Sequence, residues 1–378
     1  MKEFSVSQTC VRPGTARPGG ADPARTAGSA SLAAAKRRSA ELESMIAADP
    51  SRFTVATGDR PTGPLHLGHY FGTLATRVRL QRAGVAMYVL VADYQVLTDR
   101  DTADRLPEHV TGLVADYLAA GLDPATATIF AHSGVPELNQ LMLPFLSLVS
   151  VPELTRNPTV KDDIAQSGQR SVSGLMLTYP VHQAADILFG KANLVPVGQD
   201  QLPHLEVART IARRFNERHG AGQEVFPGPE PLLSAAPNLL GTDGGKMSKS
   251  RSNAIALSAT PDETARLIRS ARTDARRDIS YEPDARPEVS SLVLLAALCQ
   301  GRDPGQVAAE IGGGAAELKR VVTESVNERF RPIRARRAEL AGDPGYLRAA
   351  LRQGNAKAAS VASATLAEVH ARIGMGNY

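Results

Sequence analysis

Two short strings in this 378-residue chain combine residue types that act on phosphate groups. The string HLGH at residues 66–69 places two imidazoles three positions apart, so that they share one face if the segment is helical. The string KMSKS at residues 246–250 supplies two ammonium groups and two hydroxyls. Imidazoles can stabilise charge that develops on a phosphate, and lysines with hydroxyls can bind the phosphates that leave. Together the strings predict transfer chemistry on a nucleoside triphosphate.

Each string alone has a plainer explanation. Two histidines at the start of a helix could bind a metal ion or occur there by chance, and most lysine-rich strings are solvated loops. The order of the strings, with Gly241, Gly244 and Gly245 just before the lysines, favours a mobile loop that closes over a triphosphate. We therefore interpret both strings as parts of one nucleotide site.

A third group of polar residues lies between the strings and follows the period of a helix. Tyr179, Gln183 and Asp186 recur at i, i+4 and i+7, so a helix would place them on one face. A buried carboxylate needs a partner, and an indole N–H is a suitable one. A core tyrosine and an ordinary buried ion pair are the alternatives. Residues 198–201 follow a short apolar run, at the position where open α/β sheets bind ligands.

The elements that must position these residues alternate between strands and helices, which favours an α/β fold with a doubly wound parallel sheet. We predict strands at 53–57, 87–92, 128–131 and 194–197, and helices at 65–83, 104–120, 138–149 and 201–218. After Ser250 the strands stop, and helical patterns occupy 261–271, 289–300, 315–339 and 354–373. We therefore predict a disordered N-terminal tail (1–48), a Rossmann-like nucleotide-binding domain (49–258) and a smaller all-helical domain (259–378).

Composition narrows the class of protein. Residues 1–48 are rich in Ala, Gly, Pro, Arg and Ser and lack apolar clusters, which predicts disorder. Cys10 and Cys299 are too far apart to form a metal or redox motif, so we expect neither a disulfide nor a metal site. No apolar run is long enough to span a membrane, so we expect a cytoplasmic protein without membrane contact. The net charge of +4 permits a polyanionic partner but does not require one.

Five arginines crowd around Pro332 in the C-terminal half of the chain. They could meet nucleic-acid phosphates, although a solvated helical face is the commoner origin of such a run. The residues are Arg329, Arg331, Arg334, Arg336 and Arg337.

The ordered pair of strings resembles the signature motifs of the class I aminoacyl-tRNA synthetases. Between them, YPxxxAADIL at residues 179–188 and VPVGxDQxxH at residues 195–204 resemble the pattern of the bacterial tryptophanyl-tRNA synthetase family. The resemblance extends from about Phe53 to the C-terminus. It implies activation of L-tryptophan by ATP with Mg²⁺ and transfer to tRNA(Trp). It also implies a cytoplasmic homodimer in which residues 259–378 bind the anticodon.

The resemblance further implies roles for individual residues. Asp186 would accept the indole N–H, Tyr179 and Gln201 would bind the α-ammonium group, and Gln183 would lie beside them. The catalytic residues would be His66, His69, Lys246 and Lys249. Gly198 and Asp200 would bind the ATP ribose, and Leu239 would lie against the adenine. The full set of implied ATP contacts is Arg60, Pro61, Thr62, Gly68, His69, Gly198, Gln199, Asp200, Leu239, Lys246, Met247, Ser248, Lys249 and Ser250.

Several positions depart from the family pattern. Gln183 replaces the usual methionine, and YxxxQxxD also resembles the tyrosyl-tRNA synthetases, so tyrosine is the alternative substrate. Arg60, Ala56 and Gln95 stand where a glutamine, an aromatic residue and a histidine are common, which points to a divergent, auxiliary form of the enzyme. A nucleotidylyl transferase acting on a small molecule and a non-catalytic relative that binds tRNA are further alternatives. The lysine string disfavours the first, and two intact ATP strings disfavour the second.

Overall fold

Five parallel strands form the central sheet of the structure. The computed structural model describes residues 23–98, 105–166, 172–198, 201–234, 239–248 and 251–376. In chain order the strands are β1 (Thr54–Asp59), β2 (Ala86–Val91), β3 (Ala127–Ala131), β4 (Leu194–Val197) and β5 (Glu230–Leu233). Their order in the sheet is β3-β2-β1-β4-β5. The first four confirm the predicted strands, whereas the sequence pattern missed β5, a short edge strand that contains Pro231.

The sheet is buried on both faces, which explains the nearly continuous apolar runs of its strands. Val55 of β1 and Val89 of β2 belong to one apolar core, while their neighbours Ala56 and Leu90 belong to a second core. Because successive side chains of a strand point to opposite faces, these two cores lie on opposite sides of the sheet.

The four helices predicted in the first two thirds of the chain are found within a few residues of their predicted positions. Within the predicted 65–83 helix, a π-helical turn at Tyr70–Leu74 joins the short segment Leu67–His69 to Ala75–Arg82, and such turns are frequent at functional sites. Among the described residues, no helix has the length and apolar character of a membrane span. The helices are α1 (Pro23–Ala48), α2 (Leu67–His69), α3 (Ala75–Arg82), α4 (Leu106–Ala120), α5 (Glu137–Leu146), α6 (Val151–Arg156), α7 (Pro158–Gln166), α8 (Gly174–Leu188) and α9 (Leu202–His219). Of these, α1, α6 and α7 were not predicted.

The C-terminal part is helical, as predicted, but its last helix does not belong to a separate domain. Asn355 accepts a hydrogen bond from the Ala131 N–H of β3 at 2.9 Å, and a Cβ on Gly354 would lie 1.7 Å from the Ile129 carbonyl oxygen. Helical periodicity in the sequence does not reveal this contact, because it depends on a glycine that lets this last helix approach the sheet closely. The C-terminal helices are α10 (Pro261–Ser270), α11 (Pro287–Gln300), α12 (Pro304–Glu310), α13 (Gly314–Ala341) and α14 (Pro344–Ile373).

The prediction of a disordered tail over residues 1–48 is wrong for its second half, which forms α1. Leu42 and Ile46 of this helix are buried in the main apolar core. Arg38 pairs with Glu230 of β5 at 2.6 Å, and the Ser39 hydroxyl accepts from the Leu233 N–H at 3.0 Å. The average composition of residues 1–48 does not reveal these few residues, although they are enough to hold α1 against the edge strand β5. Residues 1–22 lie outside the described part of the chain.

Candidate active site

The carboxyl ends of β1 and β4 flank the point at which the chain order of the sheet reverses. β2 and β3 lie on one side of β1, whereas β4 and β5 lie on the other. Open α/β sheets bind ligands in the crevice at such a switch point. Residues 60–66 follow β1 and Gly198 follows β4, so both predicted nucleotide segments lie at this crevice.

The two histidines of the HLGH string lie at the two ends of the short helix α2, His66 as its N-cap and His69 as its last residue. The His66 N–H donates to Nδ1 of His69 at 3.2 Å, and the ring centroids are 3.7 Å apart. An antiparallel backbone bridge pairs His66 with Ala256, and the Leu67 N–H donates to the Ile255 carbonyl at 3.0 Å. The segment just after the lysine string therefore fixes the position of the histidines.

Gly68 is the point at which the two strings meet. A Cβ at this position would lie 3.0 Å from the His66 ring and 3.5 Å from the sulfur of Met247. Met247 is buried in the same apolar core as Leu67 and Leu239. A larger residue at position 68 would crowd both neighbours, because the HLGH segment and Met247 of the KMSKS string lie against each other.

Asn253 organises the lysine string, although no sequence motif marks it. Its buried side chain accepts from the Ser248 N–H at 2.8 Å, and donates to the Lys246 carbonyl at 3.0 Å and to Asp243 at 2.7 Å. Gly241 allows this approach, since a Cβ there would lie 2.3 Å from the Asn253 side chain. The glycine expected to give mobility thus has a packing role as well.

An ion pair between buried Arg77 and half-buried Asp59 holds the end of β1. Arg77 donates to the Asp59 carboxylate at 2.5 Å, and the Tyr117 hydroxyl donates to the same oxygen at 2.7 Å. Burial raises the pKa of Asp59, but the charge of Arg77, and after it that of His69, outweighs burial and lowers the pKa below its ordinary value. The carboxylate is therefore ionised, and its charge acts on His69.

Helix α8 carries the three residues expected to bind the amino acid, so their predicted helical spacing is confirmed. Tyr179 and Asp186 are buried and Gln183 is half-buried. The Tyr179 hydroxyl lies 2.9 Å from Nε2 of His204 on α9. Gln201 stands at the start of that same helix, so α8 and the turn after β4 converge.

Two histidines that the sequence patterns do not single out surround Asp186. His132, in the turn after β3, donates from Nε2 to Oδ1 of Asp186 at 2.6 Å, and its ring stacks on that of His182 at 4.3 Å. All three side chains are buried. Burial lowers the pKa of His182 despite the opposing charge of Asp186, which favours the neutral ring. Since 54 positions separate His132 from Asp186, only the fold brings them together.

His132, His182 and Asp186 also offer donor atoms within 4.8 Å of one another, the spacing of a metal site, among the residues that the structure describes. The planes of the two rings differ by only 17°. Imidazole lone pairs lie in the ring plane, so stacked rings do not direct them towards one point. The arrangement suits hydrogen bonding and packing better than metal ligation.

The remaining residues expected to contact ATP fall into two groups. Arg60 is exposed in the loop after β1, Pro61 is buried and Thr62 is half-buried. Four others, Gln199, Asp200, Lys249 and Ser250, lie outside the described residues.

Three of the five arginines in the second half of α13 form hydrogen bonds or ion pairs with other parts of the protein. Arg337 pairs with buried Asp116 at 2.5 Å, and Asp116 also accepts from the Leu65 N–H at 2.9 Å. Arg334 and Arg329 donate to side chains of α10 and of the π-helical turn. Internal contacts therefore account for these three, and Asp116 links α13 to the HLGH segment.

The chain is similar to proteins of known function along most of its length. The family of class I tRNA synthetases (W and Y) matches residues 49–331. A tryptophan–tRNA ligase of Streptococcus pyogenes serotype M1 is 43% identical over 336 residues, which cover 86% of this chain and 98% of that protein. The crystal structure of tryptophanyl-tRNA synthetase from Campylobacter jejuni complexed with ADP and tryptophan matches with a TM-score of 0.73 at 30% identity, over 85% of this chain and 100% of that one. The enzyme from Mycoplasma pneumoniae matches with a TM-score of 0.76 at 25% identity, over 86% and 98%.

Proposed function

The chain belongs to the class I tRNA synthetases (W and Y), and from this premise we propose that it is a tryptophan–tRNA ligase, which joins L-tryptophan to tRNA(Trp). The observation that carries the choice of amino acid is the 43% identity over 98% of a tryptophan–tRNA ligase. A second such ligase, from Treponema pallidum, is 40% identical over 96% of its length. Tyrosine, the alternative suggested by YxxxQxxD, is not favoured.

In the first step the tryptophan carboxylate attacks the α-phosphate of ATP, and pyrophosphate leaves. His66 and His69 stabilise the charge that develops on the α-phosphate. Lys246 and Lys249 bind the β- and γ-phosphates and compensate the charge on the leaving pyrophosphate. In the second step a terminal hydroxyl of the tRNA attacks the acyl carbon of the adenylate, and AMP leaves.

The loop after β1 and the turn after β4 bind the rest of ATP. We assign the triphosphate and adenine contacts to the β1 loop and the lysine string, and the ribose contacts to Gly198 and Asp200. Magnesium bound through the ATP phosphates would neutralise part of their charge. The complete set of proposed contacts is Arg60, Pro61, Thr62, Gly68, His69, Gly198, Gln199, Asp200, Leu239, Lys246, Met247, Ser248, Lys249 and Ser250.

The buried face of α8 selects the amino acid. Asp186 accepts the indole N–H, while Tyr179 and Gln201 bind the α-ammonium group. Gln183, half-buried on the same face, completes the pocket. The support for this assignment is the convergence of α8 and α9 through the contact between Tyr179 and His204.

We further propose that the protein acts in the cytoplasm as a homodimer, with the tRNA bound in part by helices α10 to α13. Apolar side chains on neighbouring helices support a dimer, because Leu143 of α5 is 69% exposed and Val151 of α6 is 61% exposed. Leu97 and Val172 add two more exposed apolar side chains. Exposed apolar side chains mark interfaces where they lie together, so we assign the dimer contact to the α5–α6 segment.

The test is ATP–pyrophosphate exchange with each of the standard amino acids. Only L-tryptophan should drive it efficiently. The variant Asp186→Ala should weaken specificity for tryptophan by about 2–4 kcal/mol, because it removes the acceptor for the indole N–H. Exchange by the native protein with tyrosine and not with tryptophan would overturn the proposal.

A further inference from the structure

The two carboxylate oxygens of Asp186 have different surroundings. Oδ1 accepts a hydrogen bond from His132 at 2.6 Å. Oδ2 is buried and has no hydrogen-bond partner among the described residues. Because an unpaired buried acceptor is costly, Oδ2 is the atom at which a donor from a ligand contributes most.

His132 is held in place from several sides. Its ring stacks on His182 at 4.3 Å, and the ring of Tyr94 lies parallel to it at 6.1 Å. The next residue, Ser133, donates from its N–H to Asp93 at 3.1 Å, which ties the end of β3 to the end of β2. The imidazole is therefore presented by a rigid part of the sheet, as a precise binding site requires.

The direction of the hydrogen bond follows from the chemistry of its partners. Carboxylate oxygens accept hydrogen bonds, so we assign Nε2 of His132 as the donor of this bond. A hydrogen bond to a charged acceptor is stronger than one between neutral groups and fixes the orientation of the carboxylate.

We propose that His132 is a positioning residue for substrate choice, which engages Oδ1 of Asp186 and thereby leaves Oδ2 as the acceptor for the indole N–H. The inference rests on the proposed function, since it takes Asp186 as the residue that recognises the indole. It goes beyond that function by assigning substrate selection to a side chain that need not touch the substrate.

The test compares L-tryptophan with β-(1-benzothiophen-3-yl)-L-alanine, in which sulfur replaces the indole N–H. Pyrophosphate exchange gives kcat, KM and kcat/KM for both substrates. The native protein should prefer tryptophan by at least about 100-fold, because the analogue leaves Oδ2 unpaired. His132→Leu and His132→Met cannot donate, and they should reduce this preference to below about tenfold, mainly through a higher KM for tryptophan.

Two further variants separate positioning from a general structural effect. His132→Gln retains an N–H donor and should keep the preference within about threefold of the native value. His109→Leu removes a half-buried histidine of α4 outside the cluster and should leave it unchanged. If one non-donor variant does not fold, the other carries the comparison.

The possible failures are distinguishable. If the non-donor variants lower kcat/KM equally for both substrates, His132 is only structural and the inference is wrong. If His132→Gln loses the preference as fully as His132→Leu, the hydrogen bond is not the cause, and the inference is again wrong. If the native protein shows no exchange with tryptophan, the proposed function fails instead.

Discussion

Replacing Asn253 by alanine should impair the lysine string and leave the amino acid pocket intact. The side chain makes three hydrogen bonds, of 2.8 Å to Ser248, 3.0 Å to Lys246 and 2.7 Å to Asp243. All three partners lie in the loop that carries the proposed phosphate-binding lysines. Nothing in these contacts involves α8, where tryptophan is proposed to bind.

The size of the effect follows from the number of bonds. Each contributes about 1 kcal/mol net, so the ordered loop should lose about 3 kcal/mol relative to open states in which water satisfies the same groups. A free-energy change of about 1.4 kcal/mol corresponds to a factor of ten in an equilibrium constant. Once the open states dominate, a loss of about 3 kcal/mol therefore lowers the population of the ordered loop by about 100-fold. Adenylation needs the ordered loop, so kcat for pyrophosphate exchange should fall by up to about 100-fold. The affinity for tryptophan should change little.

The assay is pyrophosphate exchange at saturating substrates, with tryptophan binding measured separately by calorimetry. Asn193→Ala is a matched control, because Asn193 also bonds two backbone groups, at 2.9 Å and 2.8 Å, but outside the loop. It should lower stability and keep kcat within about threefold. Asn253→Asp should be at least as damaging as alanine, since it sets a carboxylate against Asp243. A native-like kcat for Asn253→Ala, or a milder effect of aspartate, would refute the reasoning.

Three other predictions address the phosphates, the sheet and the ion pair of Asp59. Lys249→Ala should slow adenylation far more than it weakens tryptophan binding, because its charge is needed as pyrophosphate leaves, and near-normal exchange would contradict this role. Gly354→Ala should destabilise the protein by about 1–3 kcal/mol in urea unfolding, since the Cβ would lie 1.7 Å from the Ile129 carbonyl oxygen. The control Gly312→Ala, with nothing within 4 Å of its Cβ, should change stability much less, and equal effects would count against the argument. Asp59 has a lowered pKa in the folded protein, so its stabilising contribution should be complete above the ordinary carboxyl pKa of about 4 and decrease as pH falls below it. The stability difference between native protein and Asp59→Asn should therefore shrink between pH 7 and about pH 3, and a constant difference would show that the charge is not its source.

The parts of the site that could be predicted are those whose geometry is local. Tyr179, Gln183 and Asp186 lie within a little over two helical turns, so the period of the helix alone places them on one face. The positions of the strands could be predicted as well, because a parallel sheet that is buried on both faces requires continuous apolar runs in the sequence. Switch-point binding then follows from the fold class.

The parts that could not be predicted depend on contacts between distant segments. His132 reaches Asp186 across 54 positions, and Asn253 acts only because the loop folds back upon it. Neither residue belongs to a recognisable string. The docking of α1 depends on Leu42, Ile46 and Arg38, which an average over 48 residues of Ala, Gly and Ser conceals.

Helix α14 bears directly on the amino acid pocket. It covers the open edge of β3, where Asn355 accepts the hydrogen bond from the Ala131 N–H. Ala131 immediately precedes His132, and a Cβ on Gly134 would lie 2.1 Å from the Asn355 side chain, so the asparagine bonds one end of this turn and packs closely against the other. The N–H of an edge strand needs a partner outside the sheet, and Asn355 supplies it next to the imidazole that engages Asp186. If His132 positions Asp186 as proposed, the contact between α14 and the end of β3 contributes to that position, which only the fold brings about.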